Sequence, residues 1–132
     1  MVLRVLFVCS GNVSRSRTAE DMFRGVRGLE VRSAGTHWTA RSRVSRELID
    51  WADKIFVMEE EHKEHVVEKR PEAAGKVVVL GIPDVYNRND PVLRRVLAEK
   101  LKAYLPEVQN FEVEESGMLD WLMNMLRERK RS

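Results

Sequence analysis

The chain has 132 residues, 43% of them hydrophobic and 33% charged, with a formal net charge of only +2. That length suits one compact domain, and the balance excludes both a disordered chain and a membrane-like one. No apolar stretch reaches the roughly 18 residues of a spanning helix, and a single cysteine permits no internal disulfide.

Although 23 residues are basic, the near-neutral balance places most of them on a mixed solvated surface, so no nucleic-acid partner and no membrane span are expected. The tail Arg127-Glu128-Arg129-Lys130-Arg131 is read as a solvated end. Arg4 interrupts the N-terminal apolar run and no small-residue cleavage site follows, so no signal peptide is expected. Together with the lone thiol, this reads as a cytoplasmic protein.

The elements alternate. Val2 to Val8 is a short β-branched run, read as a strand buried on both faces. After the Cys9–Arg15 loop, Ala19, Met22, Phe23 and Val26 recur at helical spacing, with Gly28 as the stop. Leu29 to Arg32 reads as a second strand ending at Ser33-Ala34-Gly35-Thr36. Val44, Leu48 and Trp51 suggest a short helix. Lys54 to Met58 is a third strand, Glu59 to Lys69 a polar helix, and Lys76 to Leu80 a fourth strand. Gly81 to Asn89 is a loop. Asp90-Pro91 then starts a helix, with Asp at the N-cap and Pro in the first helical position. Its apolar face is Leu93, Val96, Leu97, Leu101 and Leu105.

This alternation predicts a single doubly wound α/β domain, with a four-stranded parallel sheet and helices on both faces. Ligands of such sheets bind beyond the carboxyl ends of the strands. Cys9 and Asp84 both follow strands and so share that edge. The domain is expected to span residues 1–110. Residues 111–132 then form a C-terminal extension, with Leu119, Leu122, Met123 and Leu126 on one helical side, packed on the same domain.

The Cys9 loop carries the chemistry. A strand–loop–helix connection turns backbone N–H groups inward, so the amides of Ser10, Gly11, Asn12, Val13 and Ser14 can cradle an oxyanion. Thiols at the start of such loops ionise more readily than free thiols. Arg15 adds a planar fork for two phosphate oxygens. Gly11 and Asn12 tolerate the left-handed backbone that a tight cradle needs, and Ser16 offers a hydroxyl to the sulfur. These are the parts for a thiolate attacking a phosphoryl group. A Walker loop is excluded because no Gly-Lys-Ser/Thr follows. His37, His62 and His65 lack ligand spacing with the cysteine, so no metal and no cofactor are expected, and His62 and His65 are read as solvated helix residues.

Residues 8–20, Val-Cys-Ser-Gly-Asn-Val-Ser-Arg-Ser-Arg-Thr-Ala-Glu, resemble the phosphate loop of the low-molecular-weight protein tyrosine phosphatases. The likeness continues through Ser33-Ala34-Gly35-Thr36, Met58-Glu59 and Ile82-Pro83-Asp84-Val85-Tyr86, covering most of residues 1–105. The resemblance implies Cys9 as nucleophile, Arg15 as phosphate clamp, Asn12 as brace of the loop and Ser16 as helper of the thiolate. It also implies a general acid in the loop after the fourth strand. Asp84 and Asp90 compete for that role. Asp84 is preferred, because Asp90 is already explained as a helix cap, and Tyr86 then lines the entrance.

Three features depart from the family pattern, and a fourth bears on substrate. Ser14 stands where a second, protective cysteine is common. Arg17 replaces a frequent Pro and is expected to add positive charge near the entrance. The segment from Thr36 to the third strand is short, leaving Trp38 alone to supply an aromatic wall. Val13 is apolar, as in the tyrosine-directed enzymes, where arginine-phosphate phosphatases favour Thr. The expected partner is a phosphorylated protein or small phosphoester, and the sequence does not specify an oligomeric state. A phosphoarginine phosphatase is one alternative. A non-catalytic phosphate-binding module is another, although such a module has no use for a thiolate or for Asp84.

Overall fold

The computed structural model describes residues 2–105. Strands β1 (Leu3–Cys9), β2 (Leu29–Gly35), β3 (Lys54–Val57) and β4 (Val77–Val79) form one sheet in the order β2-β1-β3-β4, and every pairing is parallel. Helix α1 (Arg15–Phe23) follows β1, α2 (Arg46–Trp51) follows β2, and α3 (Glu60–Lys69) follows β3. A 3-10 turn, Pro71–Lys76, leads into β4. The chain divides into two compact units at Asp90–Pro91. The second begins with α4 (Pro91–Leu101), in which Leu93, Leu97 and Leu101 are buried at a spacing of four. The C-terminal extension and the boundary expected near residue 110 lie outside the described residues. Among those residues no helix is long and apolar enough to cross a membrane.

The side-chain alternation of β1 sorts the helices. Phe7 points to one face, stacking on Phe23 of α1 and on its cross-strand partner Phe56 of β3, with ring centroids 6.1 and 5.9 Å apart. Leu6 and Val8 point to the other, where they join Ile55, Val57, Ile49 of α2 and Val66 of α3 in one buried cluster. Helices therefore cover both faces of the sheet, and this is why Val5 to Val8 are fully buried rather than alternately exposed. Two aromatic pairs sharing Phe7 contribute beyond their area alone.

Element ends differ slightly from the sequence reading, and the differences have local causes. Residue Ser45 accepts a hydrogen bond from Leu48 N at 3.1 Å, fixing the start of α2. The Lys76 ammonium donates to the carbonyls of Ile49 and Ala52, each at 2.7 Å, closing the other end of that helix. Strand β2 runs three residues past Arg32, to Gly35, because its Ser33-Ala34-Gly35 end stays paired with Phe7, Val8 and Cys9.

Gly35 is the tightest point. A Cβ there lies 2.6 Å from Ala40 Cβ and 2.9 Å from Asn12 N, and closer still to the Ser10 carbonyl oxygen. The backbone after Cys9 thus packs directly against β2, a close approach that only glycine permits. Gly35→Ala is expected to displace that loop and destabilise the domain by about 1–3 kcal/mol, as overpacking does, read as a lower midpoint of urea unfolding.

Candidate active site

Residue Cys9 ends β1 and Arg15 opens α1, so five residues carry the chain from strand to helix. The turn requires a left-handed residue, which is Asn12, at φ 54°. An asparagine does here what glycine does not: its Nδ2 donates to Ser16 Oγ and to Ser33 Oγ, both at 2.9 Å. Ser33 Oγ donates on to Glu20 Oε1 at 2.8 Å. Ser16 Oγ lies 3.0 Å from Cys9 Sγ. Since its oxygen already receives the Asn12 amide, its own hydrogen can turn to the sulfur. Behind the loop, Thr36 N, His37 N and Arg41 N donate to the carbonyls of Cys9, Ser10 and Gly11 at 3.0, 2.9 and 3.2 Å. With those carbonyls held back, the loop is braced from the β2 side.

The Arg15 side chain is only 1% exposed, so its permanent charge must be matched inside the protein. Its Nη1 donates to Glu59 Oε1 in a short charge-assisted bond and to the Ile82 carbonyl at 2.8 Å. The first partner follows β3 and the second follows β4, so three strand ends meet at one guanidinium. Its Nε is buried without a hydrogen-bond partner among the described residues. Asp84 Oδ1 lies 3.8 Å from it. That free donor suits an oxyanion.

The sequence reading of His62 needs correction. It is fully buried rather than solvated, with Nε2 2.9 Å from Ser10 Oγ and Nδ1 accepting the Glu59 N–H at 3.0 Å. Burial, and then the Arg15 charge, push its pKa below 6.5. His65, partly exposed, is lowered mainly by burial too. Glu59, Glu61 and His62 bring potential ligand atoms within 4.8 Å of one another. Both His62 ring nitrogens are already hydrogen-bonded and Glu59 serves Arg15, so the cluster is spoken for. Nothing in the helical spacing of Glu60–Lys69 marked His62 as buried. The one available signal was its place three residues after Glu59, at the start of a helix on the sheet's carboxyl edge.

An open pocket of about 350 Å³ is lined by Cys9, Gly11, Val13, Ser14 and Arg15 from the loop, and by Asp84, Tyr86, Asn87 and Arg88 from the segment after β4. Asp84 therefore shares the pocket with the thiol. Asp90 stands at the start of α4 and does not line it. Asp84 has 65% of its side chain exposed, Tyr86 is half-buried and Val13 is exposed. The far end of this segment is tied to α1: Arg88 grips Asp21 through Nε and Nη2 at 2.9 and 2.8 Å, and Asn89 N donates to Thr18 Oγ1 at 2.8 Å. Trp38 is 74% exposed, stacks on His37, and is not among the pocket's lining residues. Arg17 likewise turns elsewhere, lining a separate recess with Arg32 and Arg41 rather than the entrance.

A buried thiol at a strand end, an amide-lined loop opening a helix, and a buried arginine together define a parallel α/β domain built around a phosphate-type cradle. Comparison with known proteins then places it. The family described as low molecular weight phosphotyrosine protein phosphatase matches residues 4–47. A protein-arginine-phosphatase of Geobacillus stearothermophilus is 33% identical over 104 residues, 61% of this chain and 70% of that protein. The low molecular weight protein-tyrosine-phosphatase Wzb of Escherichia coli K12 is 32% identical over 120 residues, 67% of this chain and 82% of its own. Among solved structures, the YwlE arginine phosphatase from Geobacillus stearothermophilus superposes with a TM-score of 0.60 at 26% identity, covering 86% of this chain and 97% of that one. The chain belongs to the low-molecular-weight protein tyrosine phosphatase family, and it is a phosphatase, a hydrolase.

The lowered pKa of His62 has a consequence for stability. The unfolded chain takes up a proton near pH 6.5 that the folded chain resists, so the stabilisation from neutral His62 is complete above that pH and is lost as the pH falls through it. Urea midpoints measured between pH 8 and pH 5 are expected to drop on acidification, and to drop less in His62→Gln, which leaves only the partly exposed His65 among the lowered histidines.

Proposed function

We propose that the chain hydrolyses phosphomonoesters of the phosphotyrosine type through a cysteinyl-phosphate intermediate. The observation that carries this is that Cys9, backed by the buried Ser16 hydroxyl at 3.0 Å, and the buried Arg15 line one pocket together with Asp84. The thiolate attacks phosphorus in line; an S–P bond forms as the P–O bond to the leaving group breaks. Asp84, protonated, gives its proton to the leaving oxygen. As a carboxylate it next takes a proton from water as that water attacks phosphorus, releasing phosphate and the Cys9 thiolate. Arg15 and the amides of residues 10–14 stabilise the equatorial oxygens in both steps.

The pocket's chemistry supports an aryl substrate. Val13 and Tyr86 give it apolar and aromatic lining beside the acid. The second reading, a phosphoarginine substrate, is favoured by the arginine phosphatase among the relatives and by the exposed Asp84 carboxylate, which matches a guanidinium in charge. Side-by-side turnover of a phosphotyrosine peptide and a phosphoarginine peptide separates the two. On our reading the first is the better substrate, and Val13→Thr narrows the gap.

Hydrolysis of para-nitrophenyl phosphate tests the reaction itself. Cys9→Ser is expected to lose turnover by about a thousand-fold or more while still binding vanadate. Unchanged turnover would sink the assignment, and a wild type that binds oxyanion without turnover would indicate a phosphate-recognising module. Asp84→Asn is expected to slow phenyl phosphate by about 100-fold, the low end for a lost general acid, and to slow the better-leaving nitrophenyl ester less. The same pattern in Asp90→Asn would transfer the role to Asp90.

A further inference from the structure

The first turn of α3 reaches the phosphate loop at two points. The residue before the helix, Glu59, pairs with Arg15, and His62 meets Ser10, the residue that follows the nucleophile. The ring's two contacts decide its protonation. Nδ1 accepts the Glu59 N–H at 3.0 Å and must present its lone pair there. A neutral ring then carries its hydrogen on Nε2, which lies 2.9 Å from Ser10 Oγ and donates to it. The hydroxyl of Ser10 becomes an acceptor toward His62, and its own hydrogen is free to point elsewhere.

We propose that His62, as the Nε2–H tautomer, is a positioning residue that holds Ser10, and with it the first amide of the phosphate loop, in register with Arg15. This rests on the phosphatase reading. His62 touches no reacting atom. Its leverage is geometric: Ser10 and Arg15 are the ends of the loop that follows Cys9, and one helical turn holds both. The charged groups around the ring are Arg15, Glu59, Glu61 and His65. Burial and then the Arg15 charge lower its pKa, in the sense this contact requires: a protonated Nδ1 would face the Glu59 N–H donor to donor.

A capping role for α3 alone is the competing explanation, and three variants separate them. His62→Asn places its side-chain oxygen near the Nδ1 position, keeping the acceptor for Glu59 N–H, but is too short to reach Ser10. His62→Gln reaches Ser10 with its amide nitrogen. Ser10→Ala removes the same contact from the other side and leaves the loop amide in place.

On para-nitrophenyl phosphate, His62→Asn and Ser10→Ala are each expected to lower kcat about ten-fold, the worth of one well-made hydrogen bond, with KM changed less than about two-fold. The double variant is expected to be no worse than either single, and His62→Gln to recover most of kcat. Full kcat in His62→Asn, equal losses in Asn and Gln, or multiplied losses in the double variant would each overturn the proposal.

A readout without substrate keeps it separate from the phosphatase reading. Imidazole ¹⁵N shifts of the resting protein are expected to show the Nε2–H tautomer of His62, shifted by Ser10→Ala, whether or not the protein turns over phosphate. A Nδ1–H tautomer would overturn the proposal even in an active enzyme.

Discussion

A guanidinium is enclosed at the carboxyl edge of the sheet, and much of the surrounding structure exists to make that tolerable. Arg15 is 1% exposed and matched by one carboxylate and one carbonyl. Glu59 arrives from the end of β3 and Ile82 from the segment after β4, while Arg15 itself follows β1. A parallel sheet is the economical way to bring three such ends to one edge. In the order β2-β1-β3-β4, the connection from β1 leads to β2 on one side, the connection from β2 crosses back to β3 on the other, and Cys9 sits at the end of β1 between them. The Phe7, Phe23 and Phe56 stack lies under α1, so the helix that presents Arg15 is anchored by apolar contact rather than by its charge.

The same enclosure separates a fixed part of the site from an open one. Cys9, Asn12, Ser16 and Arg15 are all buried, and each polar side chain among them is held by at least one other residue. Preorganisation of this kind puts donors where charge develops in the transition state and avoids reorganisation at that moment. Asp84 stands in contrast, largely exposed on a segment without regular structure. Anchors lie on either side of it, at the Ile82 carbonyl and at the Arg88–Asp21 pair. In the proposed reaction the cradle must hold still while the acid meets the leaving group, and the two sides of this pocket differ in the same sense.

The relatives include enzymes named as a protein-arginine-phosphatase and as protein-tyrosine-phosphatases. In the proposed reaction, choice between such substrates falls to Val13, Tyr86 and Asp84, which line the pocket without being part of the buried network. Trp38 and Arg17, which the sequence suggested for the aromatic wall and the entrance, do not line it. The short connection after Thr36 is spent instead on bracing the loop, through the amides of His37 and Arg41.

Much of this was legible in order along the chain. Apolar runs of strand length alternating with helical spacing specify a parallel α/β sheet, because burial on both faces leaves few other solutions. Cys9, Gly11-Asn12 and Arg15 announce an oxyanion cradle, because left-handed turns, inward amides and a guanidinium are properties of consecutive residues. His62 was misread for the complementary reason. Its partners are Ser10, 52 residues earlier, and the backbone of Glu59, and no local pattern distinguishes a histidine facing water from one facing a loop. Likewise only the packed structure could put Glu59 on Arg15, bring Asp84 but not Asp90 to the pocket lining, and place Arg17 at a separate recess. Periodicity and loop chemistry are local, and the sequence determines them. Which side chain meets which across the sheet edge depends on strand order and register, and those are settled only when the whole domain closes.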